Sequence, residues 1–368
     1  MDPLLVTGAW RAGDPVGDRQ FADIGALTLE SGTTLPDVRL AFETWGTLTT
    51  TPEGGSNAVL VLHALTGDSH LLGGVGPGHP SPGWWDAVVG PGQAIDTDRF
   101  FVVAANLLGG CQGSTGPASL NRHDLPWGGS FPALTVRDQV AAEVALADQL
   151  GIDRWHGVIG GSAGGMRALE WAVEHPARVD RLLLLATSAA ASAEQIAWSR
   201  TQVAAIQADP AYADGNYYDA ARGPVAGLDL ARRIAHIAYR SEAELDQRFG
   251  RQVQDDGRWA VDSYLQHHGA KLIARFDANS YIVLTSAMDS HDVARGRGDL
   301  ATALARISAR TIVAGIDSDR LYPLHQQQQL ADLISTSGPL RVVQSPHGHD
   351  GFLVESDQVG ALLRDLLG

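Results

Sequence analysis

Short apolar runs follow one another along the first half of the sequence, and each is succeeded by a segment with helical periodicity. The runs lie at 38–43, 58–63, 101–106, 157–160 and 182–186. Several of them are apolar on both faces, which is typical of strands in a parallel sheet that helices cover on each side. This alternation predicts an α/β fold with a mostly parallel sheet.

The segment after Thr135 shows the helical pattern most clearly. Thr135 is a suitable N-cap, Asp138 follows three residues later, and apolar residues recur near one face. Gly151 can end the helix, because glycine readily adopts the left-handed conformation that follows many helices. We therefore predict a helix between Thr135 and Gly151.

The pattern changes between about 191 and 297, where helical periods follow one another with little that resembles a strand. Strand patterns return at 311–316 and 340–344, each followed by a helix. We predict one α/β core made of residues 1–188 and 309–368, with a helical cap, or lid, inserted at 189–308. Two independent domains are the alternative, but the second would then be a unit of roughly 60 residues, small for a stable α/β domain.

Composition limits the classes of function. The 368 residues carry a formal net charge of -15, which argues against binding to nucleic acid or to anionic lipid. Lys271 is the only lysine, which disfavours Schiff-base chemistry, and Cys111 is the only cysteine, which excludes an intramolecular disulfide. The first residues do not resemble a signal peptide, and no apolar run is long enough to cross a bilayer. We expect a cytoplasmic protein.

The strongest local motif is Gly160-x-Ser162-x-Gly164, between a strand pattern and a helix pattern. This context is that of a nucleophile elbow, in which a serine stands on a strained turn and its close neighbours must be small. The helix beyond it directs the N–H of Ala163 towards a developing oxyanion. A glycine-rich turn that contains a serine by chance is the alternative. The flanking elements favour Ser162 as the nucleophile of an α/β-hydrolase fold.

A nucleophilic serine needs a base and an orienting carboxylate, which in this fold follow it in the order aspartate, then histidine. Either Asp317 or Asp319 follows the first late strand pattern, and either His347 or His349 follows the second. Taken singly, each is better explained as a solvated loop residue. The ordered set, with each member at the carboxyl end of a strand, predicts a catalytic triad.

The loop after the strand at 58–63 offers a second oxyanion donor, the backbone N–H of Leu65. His63 and His70 in the same loop suggest a metal. However, no third ligand has a sensible spacing in the sequence, and a serine triad does not require a metal. We therefore predict that the protein has no metal site.

Several longer strings resemble the homoserine O-acetyltransferase family of methionine biosynthesis. They are HALTGDSH at 63–70, NLLGGCQGSTGP at 106–117, GGSAGGM at 160–166, RFDANSY at 275–281, SDRLYP at 318–323 and GHDGFL at 348–353. The resemblance runs in register from about residue 25 to the C-terminus. It implies an enzyme that transfers an acetyl group from acetyl-CoA, a co-substrate, to the hydroxyl of L-homoserine by ping-pong kinetics. It also implies that no cofactor is bound and that the enzyme is a homodimer.

The resemblance also implies residue roles. It selects Asp319 and His349 as the partners of Ser162. It makes Arg232 and Asp350 the substrate-binding residues, a pairing that suits a zwitterion because a guanidinium holds a carboxylate and a carboxylate holds an ammonium. Without the resemblance, Arg232 would be interpreted as a surface arginine of a helix.

One departure from the family pattern is Ala163, where the family usually has methionine, so we expect a roomier pocket wall beside the nucleophile. Homoserine O-succinyltransferase and serine O-acyltransferase have the same sequence architecture and remain alternatives. A simple esterase or thioesterase would use the same triad and let water complete the reaction. A non-catalytic binding protein is disfavoured, since a receptor has no reason to keep a strained serine turn.

Overall fold

The computed structural model describes residues 5–368 of the chain. Residues 1–4 lie outside the described residues. They belong to the first segment, which does not resemble a signal peptide, and to the predicted core at 1–188. Within the described range, no helix combines the length and the apolar character needed to cross a membrane.

Ten strands are present among the described residues. They are β1 (Gln20–Thr28), β2 (Thr34–Trp45), β3 (Ala58–Leu62), β4 (Val89–Gly90), β5 (Ile95–Asp96), β6 (Phe101–Ala105), β7 (Gly157–Gly161), β8 (Arg181–Leu185), β9 (Arg310–Ile316) and β10 (Arg341–Val343). Eight of them form one sheet in the order β1-β2-β6-β3-β7-β8-β9-β10, and β4 and β5 form a separate pair. The pairings from β6 to β10 are parallel, whereas β2 pairs antiparallel with β1 and β6. The predicted mostly parallel sheet is confirmed.

Strand β1 is not predicted by any apolar run in the sequence. Its burial alternates irregularly, and Ala22 is its only buried residue. Register shifts interrupt its pairing with β2 on both sides of Gly25. An edge strand with one exposed face needs no continuous apolar run, so the pattern that predicts the central strands is absent from it.

The helices alternate with the strands in the core and follow one another between β8 and β9. They are α1 (Val136–Gln149), α2 (Ala163–Glu174), α3 (Ala193–Gln207), α4 (Val225–Tyr239), α5 (Glu242–Phe249), α6 (Ala260–Ile273), α7 (Ala278–Asp289), α8 (Leu300–Leu304), α9 (Leu324–Leu333), α10 (Gly351–Val354) and α11 (Ser356–Leu367). Helix α1 begins with a capping box in which the Thr135 side chain accepts from the backbone of Asp138 and the Asp138 side chain accepts from Thr135. Gly151, with φ +70°, follows its end. The helix predicted between Thr135 and Gly151 is confirmed.

The core lies on both faces of the sheet. Leu60 and Leu62 of β3 pack in one cluster with Trp171, and Val59 and Val61 pack in a second cluster on the other face. Successive side chains of a strand point to opposite faces, so a strand between two layers of helices must be apolar throughout. Each such buried side chain stabilises the fold by about 2 kcal/mol. The packing of these side chains therefore holds the ends of β3, β7 and β9 in place.

Six helices, α3 to α8, connect β8 to β9, in the part of the chain where we predict the cap. Their apolar residues form a third cluster that includes Ile206 and Leu228 together with Leu65 and Ala163 from the core. The helical block therefore packs directly over the loops that follow β3 and β7. The boundaries at 189 and 308 stay predictions.

Candidate active site

Ser162 lies between β7 and α2 in a strained backbone conformation with positive φ, at φ 57° and ψ −124°. Such a conformation costs a non-glycine residue about 1–3 kcal/mol, so the surrounding structure has to hold it. The Ser162 N–H donates to the carbonyl of Leu185 at 3.0 Å, and the Thr187 hydroxyl donates to the Ser162 carbonyl at 3.0 Å. Strand β8 and the loop after it thus stabilise the turn.

The glycines of the motif are required by close backbone approaches. A Cβ atom on Gly164 would lie 1.9 Å from the carbonyl oxygen of Leu62, and one on Gly160 would lie 2.1 Å from that of Gly164. No side chain fits at these distances. The turn therefore brings the first residues of α2 against the end of β3, which is where the loop with Leu65 begins.

The structure brings Ser162, His349 and Asp319 into one hydrogen-bonded chain. His349 Nε2 lies 2.8 Å from Ser162 Oγ, and His349 Nδ1 lies 2.6 Å from Asp319 Oδ2. The other carboxylate oxygen, Asp319 Oδ1, accepts backbone N–H groups of Leu321 and Tyr322 at 2.8 and 2.9 Å. All three side chains are buried. This arrangement can transfer a proton from the serine to the imidazole while the carboxylate fixes the ring orientation.

The charge of Asp319 sets the protonation of His349. Burial by itself lowers the pKa of the imidazole, but the neighbouring Asp319 carboxylate and its hydrogen bond outweigh that effect, so the pKa of His349 is raised above its ordinary value. A raised pKa makes the imidazole a stronger base at neutral pH. It also means that the group becomes protonated, and unable to accept a proton, at a higher pH than a free histidine does.

The two alternatives left open by strand position lie elsewhere. Asp317 is exposed, and its Oδ1 accepts the N–H of Ser345 at 2.9 Å. His347 Nδ1 lies 3.1 Å from a carboxylate oxygen of Glu244. Neither side chain hydrogen-bonds to Ser162 within the described residues.

Two tyrosines enclose the His349 imidazole, and neither is among the residues predicted from the sequence. The ring of Tyr322 stacks on it with a centroid distance of 5.0 Å, and the ring of Tyr239 lies 5.9 Å away. Tyr322 belongs to the SDRLYP string and follows Asp319 by three residues. Its position in that string is the sequence signal that could have indicated a place beside the triad. Tyr239 comes from the end of α4, so the cap forms part of this wall.

The two predicted oxyanion donors lie at the start of α2 and in the loop after β3. Ala163 is the first residue of α2, so its N–H has no carbonyl partner within the helix. The loop with Leu65 is held from two sides. Arg167, a residue of the core, donates a hydrogen bond of 2.6 Å to the carbonyl of His63. Arg275, from the cap, donates one of 2.7 Å to the carbonyl of Thr66.

His70 has more potential ligands around it than the sequence spacing suggested. Asp18, Glu43 and His79 lie close to it in the fold, so potential third ligands are present that the spacing in the sequence does not indicate. The group is nevertheless tied by hydrogen bonds, because His70 Nδ1 lies 3.1 Å from Glu43 and His79 Nε2 accepts the N–H of Asp18 at 3.0 Å. The two imidazoles stack at 3.8 Å with an interplanar angle of 12°. A metal between stacked rings would lie off the nitrogen lone pairs, and the absence of a metal stays a prediction.

Arg232 and Asp350, which the resemblance pairs, line one cavity of about 170 Å³. Arg232 lies over the ring of Tyr239 at 5.6 Å, and its Nη1 is 3.4 Å from the hydroxyl of Thr66. Asp350 Oδ2 forms an ion pair with Arg240 at 3.1 Å. The carboxylate of Asp350 is therefore engaged through one oxygen before any ligand binds.

The remaining lining residues were not identified from the sequence. The cavity is lined by Arg232, His236, Arg240, His268, Lys271, Leu272, Arg275 and Asp350. Arg232 and His236 lie four residues apart on α4, and Arg240 follows four residues later, directly after that helix. The other basic residues lie on or just after α6. Residues four apart share one helix face, so this spacing is the signal in the sequence that indicates a basic stripe.

The comparisons with known proteins agree with this fold. A model of the alpha/beta hydrolase fold matches residues 57–356. Together with the parallel sheet and the elbow, this defines the class: the chain belongs to the α/β-hydrolase superfamily. A protein of Thermobifida fusca named homoserine O-acetyltransferase is 60% identical over 373 residues, covering 99% of this chain and 98% of that protein. The chain belongs to the homoserine O-acetyltransferase family.

Solved structures show the same fold at lower identity. The crystal structure of homoserine O-acetyltransferase from Bacillus anthracis matches with a TM-score of 0.85 at 26% identity, covering 95% of this chain and 97% of that one. Esterase E22 also matches with a TM-score of 0.85 at 26% identity, covering 95% of this chain and 99% of that one. The same architecture therefore occurs in proteins named for acyl transfer and in proteins named for ester hydrolysis.

Proposed function

We propose that this protein transfers an acetyl group from acetyl-CoA to the hydroxyl of L-homoserine, through an acetyl-Ser162 intermediate. The observation that carries the proposal is the hydrogen-bonded chain from Asp319 through His349 to Ser162, close to a cavity lined by Arg232 and Asp350. The name of the Thermobifida fusca relative supports the choice of substrates. O-Acetyl-L-homoserine and CoA are the products, and the reaction belongs to methionine biosynthesis.

In the first half-reaction, His349 takes the proton of the Ser162 hydroxyl as the serine oxygen attacks the thioester carbonyl. The N–H groups of Leu65 and Ala163 stabilise the oxyanion of the tetrahedral intermediate, and a donor of this kind contributes about 3 kcal/mol. The carbon–sulfur bond then breaks, and the protonated His349 returns its proton to the CoA sulfur. An acetyl ester of Ser162 remains.

In the second half-reaction, Arg232 holds the α-carboxylate of L-homoserine. The Oδ1 of Asp350, which is not the oxygen paired with Arg240, holds its ammonium. His349 takes the proton of the substrate hydroxyl, whose oxygen attacks the acetyl carbonyl. The ester bond to Ser162 breaks, and His349 returns the proton to the serine. Water competes for the acetyl group, so the acceptor has to be held in near-attack geometry. The helices over the Leu65 and Ser162 loops are suited to exclude bulk water.

The wider setting follows the family resemblance. We propose that the protein is cytoplasmic, that its partners are small-molecule substrates, and that it functions as a homodimer. Acetyl-CoA acts as a co-substrate rather than a bound cofactor. Size-exclusion chromatography with light scattering tests the dimer, since a monomeric mass at working concentration contradicts it.

A thiol-release assay tests the reaction. Purified protein is incubated with acetyl-CoA or succinyl-CoA, and with L-homoserine, L-serine or no acceptor. We expect rapid release of free thiol only with acetyl-CoA and L-homoserine together. With acetyl-CoA alone, mass spectrometry should detect a single added acetyl group on the peptide that contains Ser162. Release with succinyl-CoA instead identifies the O-succinyltransferase, and release with L-serine instead identifies the serine O-acyltransferase.

Ester hydrolysis is the second candidate function, because esterase E22 shares the fold over nearly the whole chain. A hydrolase would use the same triad and let water attack the acetyl-serine. Sustained thiol release without an acceptor, or rapid cleavage of a simple acetyl ester that L-homoserine does not accelerate, would favour this function over acyl transfer.

A further inference from the structure

His63 is a buried histidine that the proposed reaction does not use. It directly follows β3, at the start of the loop that carries Leu65, and only 3% of its surface is exposed. Its Nδ1 lies 2.7 Å from the carbonyl oxygen of Ala64. A carbonyl oxygen only accepts hydrogen bonds, so Nδ1 carries the proton and donates it. The imidazole is therefore bound to the backbone of the residue that follows it.

The carbonyl of Ala64 belongs to the same peptide unit as the N–H of Leu65. In a planar trans peptide these two groups point in opposite directions. The Ala64 oxygen accepts a second hydrogen bond, from the N–H of Gly67 at 3.0 Å. Two donors on the carbonyl fix the plane of the peptide unit, and they also polarise the N–H on its other side. The direction and the donor strength of the Leu65 N–H therefore depend on His63.

The loop is closely fitted around this ring. A Cβ atom on Gly67 would lie 2.8 Å from the Cβ of His63, so a glycine lets the loop fold back over the histidine. Arg167 of α2 donates to the carbonyl of His63 at 2.6 Å. Its guanidinium is itself buried and paired with Glu143. The loop is thus tied to the helix that begins at Ala163, the other proposed oxyanion donor.

The same arginine helps to keep the imidazole neutral. Burial and the positive charge of Arg167 lower the pKa of His63 to about 3. The ring therefore has one proton, on Nδ1, and its Nε2 has no partner among residues 5–368. A buried polar atom without a partner costs free energy, and proteins tolerate such costs mainly at functional sites. Because the ring stays neutral near pH 7, its contribution is a fixed hydrogen bond and not proton transfer.

We propose that His63 is a positioning residue of the oxyanion hole, whose imidazole orients and polarises the Leu65 N–H through the Ala64 carbonyl. The inference rests on the proposed function, in which that N–H stabilises the tetrahedral intermediate. Neither ring nitrogen of His63 is hydrogen-bonded to a member of the triad among the described residues. Its effect is therefore expected in the rate of the chemical steps and not in the binding of either substrate.

Two variants of His63 test the proposal through the first half-reaction. His63→Leu removes the donor and keeps an apolar side chain in the core, whereas His63→Asn keeps an N–H donor near the position of Nδ1. Loss of a whole oxyanion donor slows such reactions about 10²- to 10³-fold, so we expect a misaligned donor in His63→Leu to slow acetylation of Ser162 about 10- to 100-fold. His63→Asn should recover most of that loss. Rapid-quench measurement with acetyl-CoA gives the rates.

Binding and a matched histidine provide the controls. In the Ser162→Ala background, calorimetry should show the same affinities for CoA and L-homoserine with and without His63→Leu. His156 precedes β7, at the opposite end of that strand from Ser162, and its Nε2 lies 3.1 Å from the backbone carbonyl of Leu367. His156→Leu therefore removes a similar hydrogen bond far from the loop and should leave the acetylation rate unchanged.

Infrared spectroscopy of the acetyl-enzyme separates positioning from a purely structural role. With a heavy carbon isotope at the acetyl carbonyl, the ester of acetyl-Ser162 has a band of its own, whose frequency falls as the oxyanion donors bind its oxygen more strongly. The band should move to higher frequency in His63→Leu, return in His63→Asn and stay in place in His156→Leu. Slower acetylation with an unmoved band, or an unchanged acetylation rate in His63→Leu, overturns the proposal.

Nitrogen NMR of the wild-type protein with labelled histidine covers the case in which His63→Leu does not fold, and it does not require turnover. The His63 ring should be the neutral Nδ1–H tautomer from about pH 8 to about pH 5, the range in which an ordinary histidine becomes charged. An Nε2–H tautomer or a protonated ring in that range overturns the proposal. Absence of acetylation in the wild type would refute the proposed function, and the tautomer would still decide whether His63 holds the Ala64 carbonyl. Wild-type acetylation with an equal rate in His63→Leu would refute the positioning role alone.

Discussion

The catalytic triad of the core and the polar residues of the cap differ in how many of their polar atoms are hydrogen-bonded within the protein. In the core, both nitrogens of His349 and both carboxylate oxygens of Asp319 are hydrogen-bonded within the protein. In the cap, the Nε atoms of Arg232 and Arg240 and both ring nitrogens of His236 lack partners among the described residues. The catalytic triad therefore has its hydrogen bonds complete before a ligand arrives, whereas these cap residues keep polar atoms without a partner.

This difference corresponds to two tasks. Groups that act on the reacting atoms are most effective when they are already oriented, because no reorganisation is then needed as charge develops. Groups that recognise a substrate must be free to bond with it. We therefore expect substitutions in the core to lower kcat and substitutions in the cap to raise KM, and the following changes test that division, beginning with the largest effect.

Ser162→Ala removes the atom that becomes acetylated. We expect kcat to fall by at least about 10⁴-fold, because no covalent intermediate can form, while L-homoserine binds as before. Steady-state kinetics and intact-protein mass spectrometry measure the two effects. Ser290→Ala, at an exposed serine after α7, is the control and should retain full activity. More than a trace of turnover in Ser162→Ala would mean that this serine is not the nucleophile.

Asp319→Asn keeps the shape of the side chain and removes its charge. We expect kcat to fall about 10³- to 10⁴-fold, because the imidazole loses its orienting carboxylate. Activity of the wild type falls as pH decreases through the pKa of His349, which Asp319 raises. Without that charge, the pKa of His349 is lower and the acid limb of the kcat/KM profile moves to lower pH. Asp317→Asn should leave both the rate and the limb unchanged, and an unshifted limb in Asp319→Asn would contradict the assignment.

Arg232→Met tests the cap. We expect KM for L-homoserine to rise about 30- to 100-fold, the loss of a charge-assisted pair, with a much smaller change in the rate at which acetyl-CoA acetylates Ser162. Rapid-quench measurement of that first step separates the two. The neighbouring Arg233 is paired with Asp229, so Arg233→Met is a matched control that should preserve KM. An equal loss in both half-reactions would place Arg232 in the chemistry rather than in acceptor binding.

Ala163→Met tests the contact between the two regions and has the smallest expected effect. Ala163 is buried in the cluster that joins Leu65 to the cap, so a longer side chain there lowers the free energy of unfolding by about 1–3 kcal/mol through overpacking. Thermal unfolding measures that change. If the pocket wall is roomier with alanine, the variant should also acetylate Ser162 more slowly, and an unchanged rate of acetylation would show that this wall does not face the acyl group.

Local patterns predicted the elements whose causes are local. The capping residues of α1 and the apolar runs of the central strands specify those elements within a few residues, because hydrogen bonds at the helix start and burial on two faces act over short stretches. Strand β1 was not predicted because its pairing with β2, and not an apolar pattern of its own, makes it a strand. The neighbours of His70 were missed because Glu43 and His79 approach it through the fold and at no characteristic spacing.

What the sequence determined by itself is the elbow at Ser162, since only glycine fits at Gly160 and Gly164, and that constraint is visible in adjacent residues. Strand order along the chain left two aspartates and two histidines open, and only the family resemblance selected among them before the fold was known. The tertiary structure decided which carboxylate meets which imidazole, because Asp317 and Asp319 follow the same strand and differ only in the direction that their turn gives them. It also created the basic cavity, whose cations come from two helices of the cap and whose carboxylate comes from the last loop of the core. Through-space contacts of this kind depend on packing between distant segments, and no local pattern encodes them.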